Sequence, residues 1–250
     1  STIGKRQDFR LIERKLEKVY AEGLIHAFLL SPALWEESCA PKLPVASHCP
    51  IPAGKRSRTS EELIPRYRRY EILKTIAPSL KGKVVVCNLG VPSKELFSIG
   101  HQQSNFYMLG SMGMATPIGL GISLSTDKEV VVIDGDGSIL MNPGTLATSA
   151  KMSPPNLTIF AVDNSAYGST GNQPTLTGSC VDLELLAKAF GIADTVKAAT
   201  KRQFADSLRR KRAGLRFVHA LAVSGNESVP NISLHHLENK KQFQEFILSR

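Results

Sequence analysis

The chain has 250 residues, 42% of them hydrophobic, which suffices for one large domain, or for one domain and part of another. No apolar run reaches the roughly 18 residues of a transmembrane helix, and no signal-peptide pattern opens the chain, so we expect a cytoplasmic protein without a membrane segment. The formal net charge is +9, much of it in basic runs at residues 55–69 and 209–212. These runs lack the aromatic residues and motifs of nucleic-acid binders, and we interpret them as solvated faces.

The first 65 residues divide into a short structured segment and a linker. Apolar residues at helical spacing predict a helix over residues 9–22, with Gly23 as its stop, followed by a short buried strand at 24–30. Four prolines within residues 41–52 exclude a long element there. We therefore predict that residues 1–40 form one segment and residues 41–65 a linker.

From residue 66 onward, apolar strands alternate with helix-like segments. The predicted strands are Lys83–Cys87, Glu129–Ile133, Leu157–Val162 and Arg216–Val223. The predicted helices are Gly110–Ser123, Gly144–Lys151, Val181–Phe190 and Lys201–Arg212. Alternating strands and helices indicate an α/β fold with a doubly wound parallel sheet. The four cysteines (Cys39, Cys49, Cys87 and Cys180) show no metal-binding spacing, which predicts reduced structural thiols.

Three loops rich in glycine and small polar residues follow predicted strands: residues 88–93, 134–138 and 163–168. In an open parallel sheet, ligands bind beyond the carboxyl ends of the strands. One such loop is an ordinary turn, but three at equivalent strand ends indicate a polyphosphate site lined by backbone N–H groups.

Asp136 lies between Gly135 and Gly137, directly after an apolar strand. The glycines let the backbone approach a ligand closely, while a carboxylate beside a diphosphate requires a cation between them. Mg²⁺ prefers such oxygen ligands together with phosphates. Residues 138–162, a stretch of 25, leave room for one helix and one strand before Asn164. The spacing therefore predicts that Asp136 and Asn164 meet at adjacent strand ends.

Two segments together resemble the thiamine-diphosphate enzymes. Gly135-Asp136-Gly137 followed by Asp163-Asn164 is similar to their cofactor motif, and residues 110–117 (GSMGMATP) are similar to their GxMGxAxP segment. The runs at 88–96, 106–121, 131–150 and 163–175 further resemble the sulfopyruvate and phosphonopyruvate decarboxylases. The resemblance covers residues 66–250 and implies the diphosphate-binding domain of the thiamine-diphosphate fold.

The resemblance implies a set of residues around thiamine diphosphate and Mg²⁺. By this resemblance Met112 is the wedge under the cofactor, and ordinary core packing is the alternative role for this methionine. Asp136, Asn164 and the backbone oxygen of Ala166 become the Mg²⁺ ligands. The predicted cofactor-binding residues are Gly90, Ser93, Gly110, Ser111, Met112, Gly135, Asp136, Gly137, Ser138, Asn164, Ala166, Tyr167 and Gly168.

The implied activity is that of a lyase that decarboxylates 3-sulfopyruvate to sulfoacetaldehyde, as in coenzyme M biosynthesis. Phosphonopyruvate is the alternative substrate, and a non-catalytic cofactor-binding remnant or regulatory subunit is the alternative role. Residues 1–40 resemble the tail of a pyrimidine-binding domain. The alternative is that they form an unrelated N-terminal extension.

A glutamate of the pyrimidine-binding domain activates the cofactor in this family. Glu36, Glu37, Glu61 and Glu62 do not suit that role, so we expect it from a pyrimidine-binding subunit or domain in an oligomer. His101, His235 and His236 are candidate proton donors, with surface or structural roles as the alternative.

Overall fold

The computed structural model describes residues 2–3, 9–23, 27–30, 63–209 and 214–249. Within these ranges no helix is long and apolar enough to cross a membrane. The chain divides into a small N-terminal unit and a large unit that contains the candidate site. The predicted boundaries of the 41–65 linker lie mostly outside the described residues and stay a prediction.

The described residues of the N-terminal unit form one helix and one pair of strands. Strands β1 (Thr2–Ile3) and β2 (Leu29–Leu30) pair in parallel, and helix α1 (Phe9–Glu22) lies between them in the chain. The predicted helix over 9–22 is confirmed. Gly23 follows it with φ +63°, a left-handed conformation that glycine adopts readily and that commonly ends a helix.

The large unit is built around a six-stranded, fully parallel sheet with the order β4-β3-β5-β6-β10-β9. The strand bounds are β3 (Val84–Cys87), β4 (Asn105–Tyr107), β5 (Val130–Gly135), β6 (Leu157–Asp163), β9 (Asp194–Ala198) and β10 (Arg216–Leu221). A short antiparallel pair, β7 (Ala166–Tyr167) with β8 (Gln173–Pro174), follows β6. The predicted α/β fold with a parallel sheet is confirmed.

Helices cover both faces of the sheet. The large unit's helices are α2 (Arg69–Ile76), α3 (Val91–Ile99), α4 (Ala115–Ser123), α5 (Asp136–Met141), α6 (Gly144–Met152), α7 (Leu183–Ala189), α8 (Lys201–Arg209) and α9 (His236–Leu248). Side chains of α2, α3 and α8 pack on one face of the sheet, and those of α4 to α7 and α9 pack on the other. This coverage explains why β3, β5 and β6 are almost wholly apolar.

The structure corrects two sequence-based boundaries next to the candidate site. Helix α4 begins at Ala115 and not at Gly110, because the preceding loop contains Ser111 and Gly113 with φ of 60° and 85°, which no α-helix accommodates. Residues 134–138 were predicted to form a loop, but β5 runs through Gly135 and α5 begins at Asp136. The predicted strand and helix therefore join directly at the GDG motif.

The sequence did not indicate two strands of the large sheet, β4 and β9. Both lie at the edges of the sheet. Strand β4 has only three residues, and β9 contains Asp194 and Lys197, half-buried charged residues that break an apolar run. Cys87 is buried in β3, and Cys180 is half-buried; both are free thiols, whereas Cys39 and Cys49 lie outside the described residues.

Helix α4 packs so closely on β5 that one of its glycines has no room for a side chain. A Cβ on Gly119 would lie 2.0 Å from Cγ2 of Val132, a fully buried residue of the central strand. Gly119→Ala should destabilise the fold, because overpacking costs about 1–3 kcal/mol and exceeds the gain in helix propensity of up to about 1 kcal/mol.

Gly121 of the same helix provides the matched control. A Cβ there meets nothing within 4 Å, so Gly121→Ala should stabilise the protein by up to about 1 kcal/mol. Chemical denaturation of both variants measures the difference. Equal free energies of unfolding for the two variants would contradict the close packing of α4 on β5.

Candidate functional site

The predicted loops meet at the carboxyl edge of the parallel sheet, where they line a cavity of about 140 Å³. Nine of the predicted site residues line this cavity: Met112, Gly135, Asp136, Gly137, Ser138, Asn164, Ala166, Tyr167 and Gly168. Asn88 and Leu89 of the loop after β3, and Pro92 in the first turn of α3, join them. The three loops predicted to form one site are therefore brought together.

Asp136 is a buried carboxylate in the wall of this pocket, with 3% of its surface exposed. Its Oδ2 accepts a hydrogen bond from the hydroxyl of Thr175 at 2.5 Å, and the hydroxyl oxygen of Thr177 lies 3.2 Å away. Burial raises the pKa of Asp136 to about 6, Thr175 offsets part of the shift, and the charge of Asp163 adds to it. Among the described residues, no cationic side chain forms an ion pair with Asp136, which leaves its charge available to a bound cation.

Gly137 allows a very close approach of backbone and side chain. A Cβ on Gly137 would lie 2.3 Å from Cε1 of Tyr167, which also lines the pocket. Only glycine at this position lets the Tyr167 ring lie against the start of α5. The second glycine of the GDG motif therefore shapes the wall of the cavity.

Asn164 and Ala166 provide the other predicted metal ligands. The side-chain oxygen of Asn164 accepts the N–H of Ala166 at 3.3 Å, while its Nδ2 is buried and has no partner among the described residues. The backbone oxygen of Ala166 accepts the N–H of Gly168 at 3.0 Å and has a second lone pair. An oxygen-rich wall with one uncompensated carboxylate and one orphaned amide fits a cation bound together with an anionic group.

Asp134 lies beneath the GDG motif and supports it from inside the fold. It is 2% exposed, accepts a hydrogen bond from the hydroxyl of Thr116 at 2.7 Å and another from the N–H of Gly135 at 2.9 Å. Burial raises the pKa of Asp134, and its hydrogen bonds offset only part of that shift. The hydrogen bond between Thr116 and Asp134 therefore connects α4 to the end of β5.

Arg69 also lines the pocket, although the sequence placed it in a solvated basic run. That interpretation is wrong for Arg69, which is 6% exposed and forms a two-point ion pair with the fully buried Glu95, at 2.7 and 3.1 Å. Its Nη2 also donates to Asn226 at 2.8 Å, and Asn226 in turn donates to the backbone oxygen of Gly168 at 2.6 Å. The ion pair thus anchors the loop after β7.

Four predicted cofactor-binding residues do not line the cavity. Gly90 lies beside it, since a Cβ there would be 2.8 Å from the hydroxyl of Ser169, which does line it. Ser93 is buried, and its hydroxyl donates to the backbone oxygen of Asn88 at 2.7 Å. Gly110 and Ser111 are exposed on the loop that leads to Met112.

The candidate histidines also lie away from the cavity. Nδ1 of His101 lies 3.1 Å from the hydroxyl of Tyr107, and its Nε2 lies 3.1 Å from Gln242. The ring of His235 accepts the N–H of Leu237 at the start of α9, next to His236. These contacts give His101 and His235 structural roles, whereas His219, which no sequence motif indicated, is buried near the site.

Comparison with known proteins agrees with this geometry. Residues 93–220 match the family described as thiamine pyrophosphate enzyme, C-terminal TPP binding domain. Sulfopyruvate decarboxylase of Methanosarcina acetivorans is 39% identical over 97% of this chain, which spans 65% of the length of that relative. Sulfopyruvate decarboxylase subunit beta of Methanococcus maripaludis is 46% identical over 72% of this chain and 97% of the relative.

A solved structure shows the same fold. The thiamine diphosphate-dependent 4-hydroxybenzoylformate decarboxylase of Rhodococcus jostii RHA1 superposes with a TM-score of 0.53 at 21% identity, over 64% of this chain and 33% of that one. The chain therefore belongs to the thiamine pyrophosphate enzymes and groups within them with the sulfopyruvate decarboxylases. Its cofactor is thiamine diphosphate.

Proposed function

We propose that this chain carries the diphosphate-binding part of an enzyme that decarboxylates 3-sulfopyruvate to sulfoacetaldehyde with thiamine diphosphate and Mg²⁺. The observation that carries the chemistry is the buried Asp136 carboxylate, which lines the pocket without a cationic partner among the described residues. The names of the similar relatives support the substrate. A place in coenzyme M biosynthesis and in the cytoplasm belongs to the same proposal.

The proposed roles follow from what each residue offers the ligand. Asp136, Asn164 and the backbone oxygen of Ala166 would hold Mg²⁺, and the backbone at Gly135, Gly137, Ser138, Tyr167 and Gly168 would surround the diphosphate. Gly90, Ser93, Gly110 and Ser111 would shape the loops beside them. Met112, which lines the cavity, would support the cofactor ring as an apolar wedge. Bound thiamine diphosphate supplies the electron sink for loss of CO₂.

We further propose that a pyrimidine-binding subunit or domain completes the site and supplies the activating glutamate. Residues 66–250 would be the cofactor-binding domain, residues 41–65 the linker and residues 1–40 the tail of a pyrimidine-binding domain. The relative from Methanococcus maripaludis is named a subunit beta, which supports a partner for this kind of chain. Glu36, Glu37, Glu61 and Glu62 lie outside the described residues.

Activity should therefore depend on a second component. We expect the purified 250-residue chain to show negligible sulfopyruvate decarboxylation, and addition of a pyrimidine-binding partner to restore turnover together with a mass increase in light scattering. The reason is that the cofactor must be held at its pyrimidine end as well as at its diphosphate. Equal turnover by the chain alone would contradict the requirement for a partner, whereas partner binding without any turnover would favour a non-catalytic or regulatory subunit.

The substrate is tested on the assembled enzyme by steady-state kinetics. We expect a higher kcat/KM for sulfopyruvate than for phosphonopyruvate or pyruvate, because the similar relatives carry the sulfopyruvate decarboxylase name. A preference for phosphonopyruvate would change the proposed substrate but not the proposed decarboxylation. A preference for pyruvate would refute both anionic substrates.

A further inference from the structure

A buried histidine lies behind the candidate metal site. His219 is on β10, is 3% exposed and does not line the cavity. Its Nε2 lies 2.7 Å from Oδ2 of Asp163, the last residue of β6. On its other side, Nδ1 lies 3.6 Å from Oδ1 of Asp182, which also forms an ion pair with Lys197 of β9. The imidazole is thus enclosed by two carboxylates, and Lys197, which pairs with Asp182, also lies 3.9 Å from Glu184.

Asp163 connects this histidine to the turn that contains Asn164. It is 4% exposed, and its Oδ1 accepts the N–H of Ser165 at 3.0 Å and the hydroxyl of Thr177 at 2.7 Å. Ser165 has φ of 54°, so the turn adopts a conformation that a non-glycine residue holds only when its surroundings fix it. The hydrogen bond from Ser165 to Asp163 fixes the backbone on both sides of Asn164.

Thr177 connects Asp163 to Asp136. Its hydroxyl lies 2.7 Å from Oδ1 of Asp163 and 3.2 Å from Oδ2 of Asp136. One hydroxyl proton serves only one carboxylate at a time, and the shorter distance assigns it to Asp163. Two buried carboxylates therefore lie on either side of one hydroxyl group, and a cation beside each would offset the cost of burying its charge.

We propose that His219 is a positioning residue of the magnesium–diphosphate site. As an imidazolium it compensates Asp163, which leaves the charge of Asp136 to the metal ion and holds the Asn164 turn and the Thr177 hydroxyl in place. Burial lowers the pKa of His219, but the carboxylates of Asp163, at 2.7 Å, and Asp182 outweigh this effect and raise it, in keeping with an ion pair. This inference rests on the proposed cofactor site.

The test is the affinity for Mn²⁺, a spectroscopic substitute for Mg²⁺, measured by electron paramagnetic resonance in the presence of thiamine diphosphate. His219→Gln keeps a hydrogen-bond donor toward Asp163 but removes the charge. We expect the Mn²⁺ affinity to fall by about 10–100-fold, as is typical when a residue behind a metal ligand is changed. The full chain is used, assembled with its partner if wild type alone does not bind.

Charge compensation makes a distinctive prediction for a double variant. Asp163→Asn combined with His219→Gln removes both charges and keeps the hydrogen-bonding groups, so the affinity should return to within a few fold of wild type. A purely structural role for the imidazole would leave the double variant as weak as His219→Gln. Thermal unfolding of the apo proteins shows which variants are folded, and His101→Gln, at an exposed histidine outside this network, should bind Mn²⁺ like wild type.

Thr177 keeps the inference testable even if His219→Gln does not fold. Thr177→Val removes the hydroxyl in a side chain of the same shape and should weaken Mn²⁺ binding, whereas Thr177→Ser keeps the hydroxyl and should bind almost normally. Unchanged affinity in folded His219→Gln, no recovery in the double variant, or equal affinities of the two Thr177 variants would each overturn the positioning role. Failure of wild type to bind Mn²⁺ and cofactor would instead refute the proposed site itself.

Discussion

Asp136→Ala should abolish tight binding of thiamine diphosphate in the presence of Mg²⁺. The variant removes the carboxylate that lies buried in the pocket wall without a cationic partner among the described residues. Changing a residue that only supports a metal ligand typically costs about 10–100-fold in metal affinity, so loss of the ligand itself should cost more than about 100-fold. Isothermal titration calorimetry of the assembled enzyme, with Mg²⁺ and then with excess chelator, measures the loss.

Two further variants make this result specific. Asp127→Ala removes an exposed carboxylate away from the cavity and should leave the affinity unchanged. Asp136→Asn keeps an oxygen ligand and an acceptor for Thr175 while losing the charge, so its affinity should lie between wild type and Asp136→Ala. Wild-type affinity in Asp136→Ala, or in wild type with excess chelator, would refute the metal assignment.

Glu95→Ala should unfold the protein at a much lower denaturant concentration, because it leaves Arg69 charged and buried. Removing one partner of a buried ion pair costs about 3–5 kcal/mol. The same carboxylate also accepts the N–H of Glu227 at 3.0 Å, so the segment that holds Asn226 is released as well. Urea denaturation followed by circular dichroism gives the change in the free energy of unfolding.

The partly exposed ion pair between Lys83 and Glu129 is the control for this change. The two side chains lie 2.7 Å apart, but Glu129 is 49% exposed, so Glu129→Ala should cost about 1 kcal/mol or less. Replacing both buried partners, with Arg69→Met and Glu95→Leu, should recover part of the loss of Glu95→Ala. Equal losses for Glu95→Ala and Glu129→Ala would show that the buried pair contributes no more than a surface pair.

The sheet and the pocket were predictable because their signals are local in the sequence. Strands β3, β5 and β6 are apolar runs, and the glycines around Asp136 directly follow one of them. Parallel topology then brings Asp136 and Asn164 to the same edge. The edge strand β9 was missed because a charged residue such as Lys197 is more typical of a loop when the sequence is considered alone. In the fold, Lys197 is paired with Asp182.

The supporting residues were not predictable, because each acquires its role from partners distant in the chain. Arg69 follows other arginines in the sequence, and only the fold brings Glu95 and Asn226 to it. The threonines beside Asp136 occur 39 and 41 residues later, beyond a short antiparallel pair. His219 lies in an apolar strand, and the position of Asp163 on the neighbouring strand becomes apparent only from the register.

The central position of the site-bearing strands affects how the protein should respond to its cofactor. Strands β5 and β6 are the third and fourth of six, so each is paired on both sides. Their amide protons should exchange with solvent only when the whole domain unfolds, in contrast to those of the edge strands β4 and β9. Cofactor binding should therefore protect the entire sheet, and a concentration of 100 times Kd should slow exchange in β5 and β6 about 100-fold, equivalent to about 2.7 kcal/mol.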